Sequence, residues 1–233
     1  MAVFVITGAS SGVGRACALY FAEKDNTVCV LARKKEALQQ LKQENPGNIH
    51  PYACDVTDKQ QVWKTFEEIG NQEGRIDVLI NNAGVVDSPQ DPWNGEMVDR
   101  IIDTNLKGTM YCTYAAIPIM QKHQYGSIFN VASISGVDIS ESGNNGMYAA
   151  SKYGVVAFAD SIGRVVRKDG ILVTTLCPGG INTPLWNEDN PYPFDRDVMI
   201  RPEEIADLID YVLQQPRRTI FKNIIFVPTV EKW

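Results

Sequence analysis

Val3-Phe4-Val5-Ile6-Thr7-Gly8-Ala9-Ser10-Ser11-Gly12-Val13-Gly14 is the stretch that decides the fold class of this chain. Its first four residues are β-branched or aromatic, as in a short buried strand, and the run breaks abruptly at Thr7-Gly8. From Arg15 to Lys24 the apolar residues recur with helical periodicity. Strand, glycine-rich turn and helix in succession are what a dinucleotide site needs. Glycines let the backbone approach a pyrophosphate, and the helix N-terminus adds unpaired N–H groups and a partial positive charge. The spacing Gly8-x-x-x-Gly12-x-Gly14 differs from the Gly-x-Gly-x-x-Gly fingerprint, and the plain alternative is a tight turn with no ligand.

Outward from this unit, strand-like runs alternate with helical ones. Thr27–Ala32, Ile49–Cys54, Ile76–Ile80, Ser127–Ala132, Ile171–Cys177 and Ile224–Val227 read as strands. Lys34–Glu44, Lys59–Gln72 with Asp58 as N-cap, Glu96–Lys122, the stretch opened by Tyr148, and Pro202–Gln214 with proline in its favoured first position read as helices. Asn105-Leu106-Lys107-Gly108 interrupts the third of these, and Asn or Gly inside a helix costs roughly 0.5 to 1 kcal/mol each against Ala. No internal repeat or interdomain linker stands out. The expectation is an α/β chain: a single doubly wound, Rossmann-type NAD(P)-binding domain over residues 1–233, with a mostly parallel sheet of about seven strands.

Composition removes several function classes. With 44% hydrophobic and 21% charged residues the 233-residue chain is neither disordered nor fibrous. A formal charge of -6 without a basic stripe argues against nucleic acid. Cys17, Cys29, Cys54, Cys112 and Cys177 are scattered and form no Cys-x-x-Cys pair, and His50 and His123 are isolated, so neither a disulfide framework nor a metal site is expected. The N-terminus has no basic region or apolar core of a leader, and no run of apolar residues is long enough to span a membrane. A soluble, cytoplasmic protein follows as the expectation.

The residues that carry chemistry lie at the ends of the strands. After the second one, the acid that would bind the ribose 2′-hydroxyl of NAD is missing, and Arg33-Lys34-Lys35 stands there instead. Cations suit a 2′-phosphate, so the cofactor reads as NADP(H), with NAD(H) as the alternative in which these are only solvated residues. Asp55 ends the third strand, where an adenine would sit, and Asn81-Asn82-Ala83-Gly84 ends the fourth as a crevice floor or an ordinary Asn-rich turn. In Tyr148-Ala149-Ala150-Ser151-Lys152 the i, i+4 spacing puts phenol and ammonium on one helix face. A phenol titrates near pH ~10, and a cation about 4 Å away at an effective dielectric of ~20 is worth roughly 4 kcal/mol, about 3 pH units. The pair reads as a proton donor and acceptor near neutrality, against a mere surface pair. A polar loop, Asp138–Gly146, precedes it. Leu185–Arg201, with Trp186, Tyr192, Pro193 and Phe194, is either a lid or a packed surface loop.

Taken in order, Thr7-Gly8-x-x-x-Gly12-x-Gly14, Asn81-Asn82-Ala83-Gly84, Asn105, a strand ending in Ser133, Tyr148-x-x-x-Lys152 and Pro178-Gly179 resemble the short-chain dehydrogenase/reductase family. The resemblance implies hydride transfer between NADP(H) and a carbonyl or secondary alcohol. Tyr148 would pass the proton, Lys152 would hold the nicotinamide ribose and favour the phenolate, Ser133 would hydrogen-bond the substrate oxygen, and Asn105 would hold a water linking Lys152 to solvent. Ser135 competes for the serine role; Ser133 is preferred because Asn130-Val131-Ala132-Ser133-Ile134-Ser135-Gly136 matches the strand-end pattern. Ser151 is read as helix packing. Cofactor contacts are implied at Gly8, Ser10, Ser11, Gly12, Val13 and Gly14, at Arg33, Asp55 and Val56, and at Asn82, Ala83 and Gly84. Tyr148, Lys152, Pro178, Gly179, Ile181 and Thr183 complete that set.

Val85, Val86, Ile134, Val137, Trp186 and Phe194 are candidates to line a modest, mostly apolar substrate pocket. A homodimer or homotetramer is implied, with the helices around Asn105 and Tyr148 packing across a two-fold axis. Two departures stand out: the Ser133–Tyr148 loop is slightly long, and Ile224-Ile225-Phe226-Val227-Pro228-Thr229 lacks the family's Asp-Gly-Gly ending. The rival from another class is a non-catalytic NADP(H) sensor on the same fold.

Overall fold

The computed structural model describes residues 1–86, 95–138, 146–188 and 190–231. Its elements run β1 (Val3–Thr7), α1 (Gly12–Glu23), β2 (Thr27–Ala32), α2 (Lys35–Glu44), β3 (Ile49–Ala53), α3 (Lys59–Glu73) and β4 (Val78–Asn81). They continue with α4 (Gly95–Ile101), α5 (Thr109–Gln121), β5 (Gly126–Val131), α6 (Gly146–Val166), β6 (Ile171–Pro178), α7 (Pro202–Leu213) and β7 (Asn223–Phe226). All strand pairs are parallel, in the order β3-β2-β1-β4-β5-β6-β7, so the sheet is wholly rather than mostly parallel.

Alternation along each strand feeds two cores. Val3 and Val5 of β1 join Val62, Phe66 and Ile69 of α3, Cys112 and Met120 of α5, and Ala159 of α6. Phe4 and Ile6 face the other way, onto Val13, Cys17 and Phe21 of α1, Leu38 and Leu41 of α2, and Ile205 and Ile209 of α7. Burial on both faces is why these strands read as continuous apolar runs. Because β1 pairs with both β2 and β4, the chain reverses its direction of travel across the sheet at β1. A crevice therefore opens beyond the carboxyl ends of β1 and β4, where open α/β sheets bind ligands.

Asp58 caps α3 as expected, its carboxylate accepting the Gln61 N–H at 3.1 Å. The expected helix Glu96–Lys122 is in fact three pieces: α4, a π-helical stretch Ile102–Gly108, and α5. The polar break is thus a change of helical pitch and not a gap, a feature frequent at functional sites. Gly108 is needed there because a Cβ would come within 2.7 Å of Val56 Cγ2. Most of the Asp138–Gly146 loop, residues 139–145, lies outside the described residues.

Asp77, 3% exposed, ties β1 to the start of β4: one carboxylate oxygen accepts the Val3 N–H at 2.8 Å and the other accepts Arg75 Nε at 2.9 Å. Asp77→Ala should lower the unfolding free energy by about 2 to 3 kcal/mol in a urea titration, since it leaves the Val3 N–H buried without a partner. An unchanged midpoint would contradict this account of the strand pairing.

Candidate active site

The carboxyl ends of β1 and β4 are stitched by side chains. Thr7 Oγ1 accepts the backbone N–H groups of Asn82 and Ala83, each at 3.0 Å, and Asn82 Nδ2 donates to the carbonyls of Thr7 at 3.1 Å and Gly8 at 3.2 Å. The glycine turn is closed against this floor: Gly8 has φ +65° and a Cβ there would stand 2.8 Å from Ala83 Cα. Gly12 has φ +52°, and its open side is met by the Thr183 methyl, which would be 3.0 Å from a Cβ. The first turn of α1 begins at Gly12, inside the turn and three residues earlier than the periodicity suggests. It carries no acidic residue, and Ser11 at its N-cap makes no side-chain cap, so nothing competes with an anion for that turn.

Arg33 lies exposed at the end of β2 and Lys34 forms the N-cap of α2. Asp55 is half-buried, with one carboxylate oxygen accepting the Thr57 N–H at 3.0 Å and hydroxyl at 2.9 Å, while Val56 is buried against Gly108. Pro178 ends β6 and Gly179 follows it, and Ile181 is buried. Ser10 and Val13 stay in the turn and first helical turn at the mouth of the crevice.

Tyr148 and Lys152 share one face of α6, with Lys152 Nζ 5.5 Å from the phenol ring centroid. The Ser133 hydroxyl is hydrogen-bonded to the phenol, and it also accepts the Ser135 N–H at 3.2 Å. Ser133 is thus a serine beside Tyr148. Lys152 is buried and donates to the Val131 carbonyl at 3.0 Å. A Cβ on Gly84 would lie 3.4 Å from Asn105 Oδ1 and 3.6 Å from Lys152 Nζ, so the end of β4, the π stretch and α6 converge. Asn105 holds this junction: its amide oxygen accepts the Val85 N–H at 2.8 Å, and its amide nitrogen donates to the Val85 carbonyl at 2.9 Å and to Ser151 Oγ at 3.1 Å.

The expected electrostatics need correction. Burial pushes the Tyr148 phenol up to about 12, and only the Ser133 hydrogen bond draws it down. Burial also lowers the Lys152 ammonium to about 8, opposed by the nearby Cys177 thiol, which is itself raised to about 11. Desolvation penalises both charged forms, and the ammonium spends its hydrogen bond on a carbonyl instead of the phenol. Two further partners were not legible. Ser151, read as packing, is fully buried and donates to the Tyr148 carbonyl at 2.7 Å while receiving Asn105. Its signal was its place between Tyr148 and Lys152. Cys177 carried none.

The family model described as short chain dehydrogenase matches residues 2–192. The chain belongs to the short-chain dehydrogenase family. Across 97% of its length it is 33% identical to an uncharacterized oxidoreductase of Staphylococcus aureus (strain USA300), covering 96% of that protein. Over 89% of this chain and 88% of the relative it is 36% identical to the 3-oxoacyl-(acyl-carrier-protein) reductase FabG of Thermotoga maritima. The closed form of serine dehydrogenase complexed with NADP+ superposes with a TM-score of 0.89 at 25% identity, over 99% of this chain and 96% of that one. The protein is thus an oxidoreductase of this family. Among the described residues no helix is long and apolar enough to cross a membrane, and no cluster of side chains could hold a metal ion.

Of the apolar lining candidates, Val85, Val86, Ile134 and Trp186 are half-buried and Phe194 is exposed. Val137 instead packs with Ala132, Val155 and Cys177 beneath α6. A groove of about 520 Å³ lies elsewhere, between the end of α6 and β6, lined by Asp160, Arg164, Arg167 and Lys222 and by none of these lining candidates.

A lysine whose folded value is about 8 against an ordinary 10.5 weakens the fold at neutral pH by on the order of 3 kcal/mol. The unfolded chain binds the extra proton between those values, so this cost is complete below pH 8 and disappears as pH rises to 10.5. Lys152→Met should therefore raise the Tm of the cofactor-free protein at pH 7, and the gain over wild type should shrink between pH 8 and 10.5 in paired thermal melts.

Proposed function

We propose that the protein is an NADP(H)-dependent oxidoreductase that interconverts a carbonyl and a secondary alcohol, with Asn105, Ser133, Tyr148 and Lys152 as its working set. The observation that carries this reading is the Ser133–Tyr148 hydroxyl pair, backed by the buried Lys152 ammonium that lies beside Gly84 at the end of β4. The cradle fits a dinucleotide: two glycines at positive φ, a floor closed by Asn82, and an N-terminal helical turn without an acid. When bound, the cofactor supplies or takes up the hydride. Exposed Arg33 and the missing acid after β2 support a 2′-phosphate, as does the likeness to serine dehydrogenase crystallised with NADP+. The implied lining of the cofactor by Gly8, Ser10, Ser11, Gly12, Val13, Gly14, Asp55, Val56, Ala83, Gly84, Pro178, Gly179, Ile181 and Thr183 is part of this proposal.

A phenol held near 12 is protonated at neutral pH, so Tyr148 begins carbonyl reduction as the acid and gives its proton to the substrate oxygen. The Ser133 hydroxyl orients the same oxygen. In the reverse direction the phenol must first lose its proton, and the neighbouring ammonium of Lys152 favours that loss. The Asn105 carboxamide is committed to Val85 and Ser151, so a water linking Lys152 to solvent would rest on the Asn105 backbone carbonyl, which already accepts the Thr109 hydroxyl at 2.8 Å. The substrate class is a modest, mostly apolar carbonyl compound that fits against Val85, Val86, Ile134 and Trp186.

We assign residues 1–233 to one cytoplasmic NAD(P)-binding domain, in keeping with five buried, unpaired cysteines. Tyr114 on α5 is 48% exposed and packs edge-on against Phe158 of α6 at 5.6 Å, while Val165 is 59% exposed, an apolar face suited to a homodimer or homotetramer.

Across a panel of ketones, diketones and ketoesters, Tyr148→Phe should cut carbonyl-dependent NADPH oxidation by about 10²- to 10⁴-fold while NADPH still binds. Retained turnover would overturn the reading. Arg33→Ala should reduce the preference for NADPH over NADH by about 10- to 100-fold, the loss expected for one charged hydrogen bond; an unchanged preference would assign specificity elsewhere.

A further inference from the structure

Three stretches remote in sequence meet at the carboxyl end of β6. Glu231 Oε1 accepts the Gly180 N–H at 2.8 Å and the Tyr192 hydroxyl at 2.6 Å. Both glycines of Pro178-Gly179-Gly180 make room for this meeting: a Cβ on Gly179 would collide with the Glu231 carboxylate, and one on Gly180 with the Tyr192 ring. The tail folds back to reach the site, with Glu231 N–H donating to the Pro228 carbonyl at 3.0 Å and Gly179 N–H to the Phe226 carbonyl at 2.9 Å.

Tyr192 is the centre of the segment formed by residues 182–188 and 190–199. Its ring lies edge-on to Trp186 at 5.0 Å and to Phe194 at 5.7 Å. Both ends of the segment are clamped to the same turn, since Ile200 N–H donates to the Gly180 carbonyl at 3.0 Å and Asn182 N–H to the Ile200 carbonyl at 2.8 Å. Arg196 closes it further, through Asn182 Oδ1 at 3.3 Å. At its start the Thr183 methyl rests on Gly12 of the glycine turn. A pull on Tyr192 is thus a pull on the wall of the cofactor cradle. These contacts make Leu185–Arg201 a packed segment, with Thr183 just before it resting against the glycine turn.

We propose that Glu231 is a positioning residue whose carboxylate latches this segment closed over the cofactor cradle, setting how long cofactor and substrate stay bound. The proposal rests on the oxidoreductase reading above for its cofactor. The side chain suits the task because a single oxygen, Glu231 Oε1, takes both donors, from the turn after β6 and from Tyr192. No residue of the latch takes part in proton transfer, so its loss acts on binding and release and leaves the chemical step alone.

The test compares full-length wild type with Glu231→Ala, Glu231→Gln and Tyr192→Phe. In the cofactor-free proteins, hydrogen exchange should be about tenfold faster in amides of residues 182–188 and 190–199 for Glu231→Ala, with β1 and β4 amides unchanged. Tyr192→Phe, which keeps the ring, should loosen the segment less. Glu231→Gln keeps an acceptor oxygen and should recover most of the protection, a rescue that mere bulk at this position would not predict. Stopped-flow NADPH release should follow the same order, and KM should rise in Glu231→Ala while single-turnover hydride transfer stays within about threefold of wild type. Wild-type exchange in Glu231→Ala, or Glu231→Gln as loose as Glu231→Ala, would overturn the latch. Failure of the wild type to bind NADPH would defeat the oxidoreductase reading instead, and the exchange data would still decide the latch.

Discussion

Two short side chains hold together the ends of β1 and β4, where the sheet ladder itself stops. Thr7 Oγ1 receives two backbone N–H groups from the β4 end, and Asn82 returns two hydrogen bonds to the carbonyls of the glycine turn. Without that stitch, neighbouring parallel strands would splay where their pairing ends, and the backbone groups of the turn would need water. With it, the turn is a rigid ledge that faces a helix N-terminus. Gly84 and Val85 continue from this ledge towards Asn105, and Thr183 closes on it from the far side.

The second constraint is burial at α6. A long helix against the sheet brings a lysine ammonium into the protein at 5% exposure, and the surroundings answer with a carbonyl from β5 instead of a carboxylate. A carboxylate would hold the ammonium fully charged and cancel its field. A carbonyl leaves much of the charge available at the cleft, at some expense in stability. The neighbouring phenol is desolvated by the same packing, so it stays protonated until something in the cleft favours its anion.

The π stretch and the closing tail solve related problems of reach. Widening the helix at Ile102–Gly108 turns Asn105 inward, so that one carboxamide pairs with the backbone of Val85 and with Ser151 together. The cost of Asn and Gly in a helix is offset by a junction of three elements. At the opposite wall the last strand does not end in the glycines usual for its family, and the tail turns back with Glu231 onto the turn after β6.

Sequence by itself determined the class and order of the elements, because burial on both faces of a parallel sheet writes apolar runs and helices write their own period. It also placed Gly8, Gly12, Ser133, Tyr148 and Lys152 at strand ends or one helix face, since turns and i, i+4 spacing are local. What only the tertiary structure decided depends on groups far apart in the chain: Asn105 with Ser151, 46 residues on, and Gly180 with Glu231, 51 residues on. The sign of the shift at Tyr148 belongs with these. Helical spacing gives the distance to a cation, whereas desolvation is set by everything packed around the phenol, and here desolvation prevails.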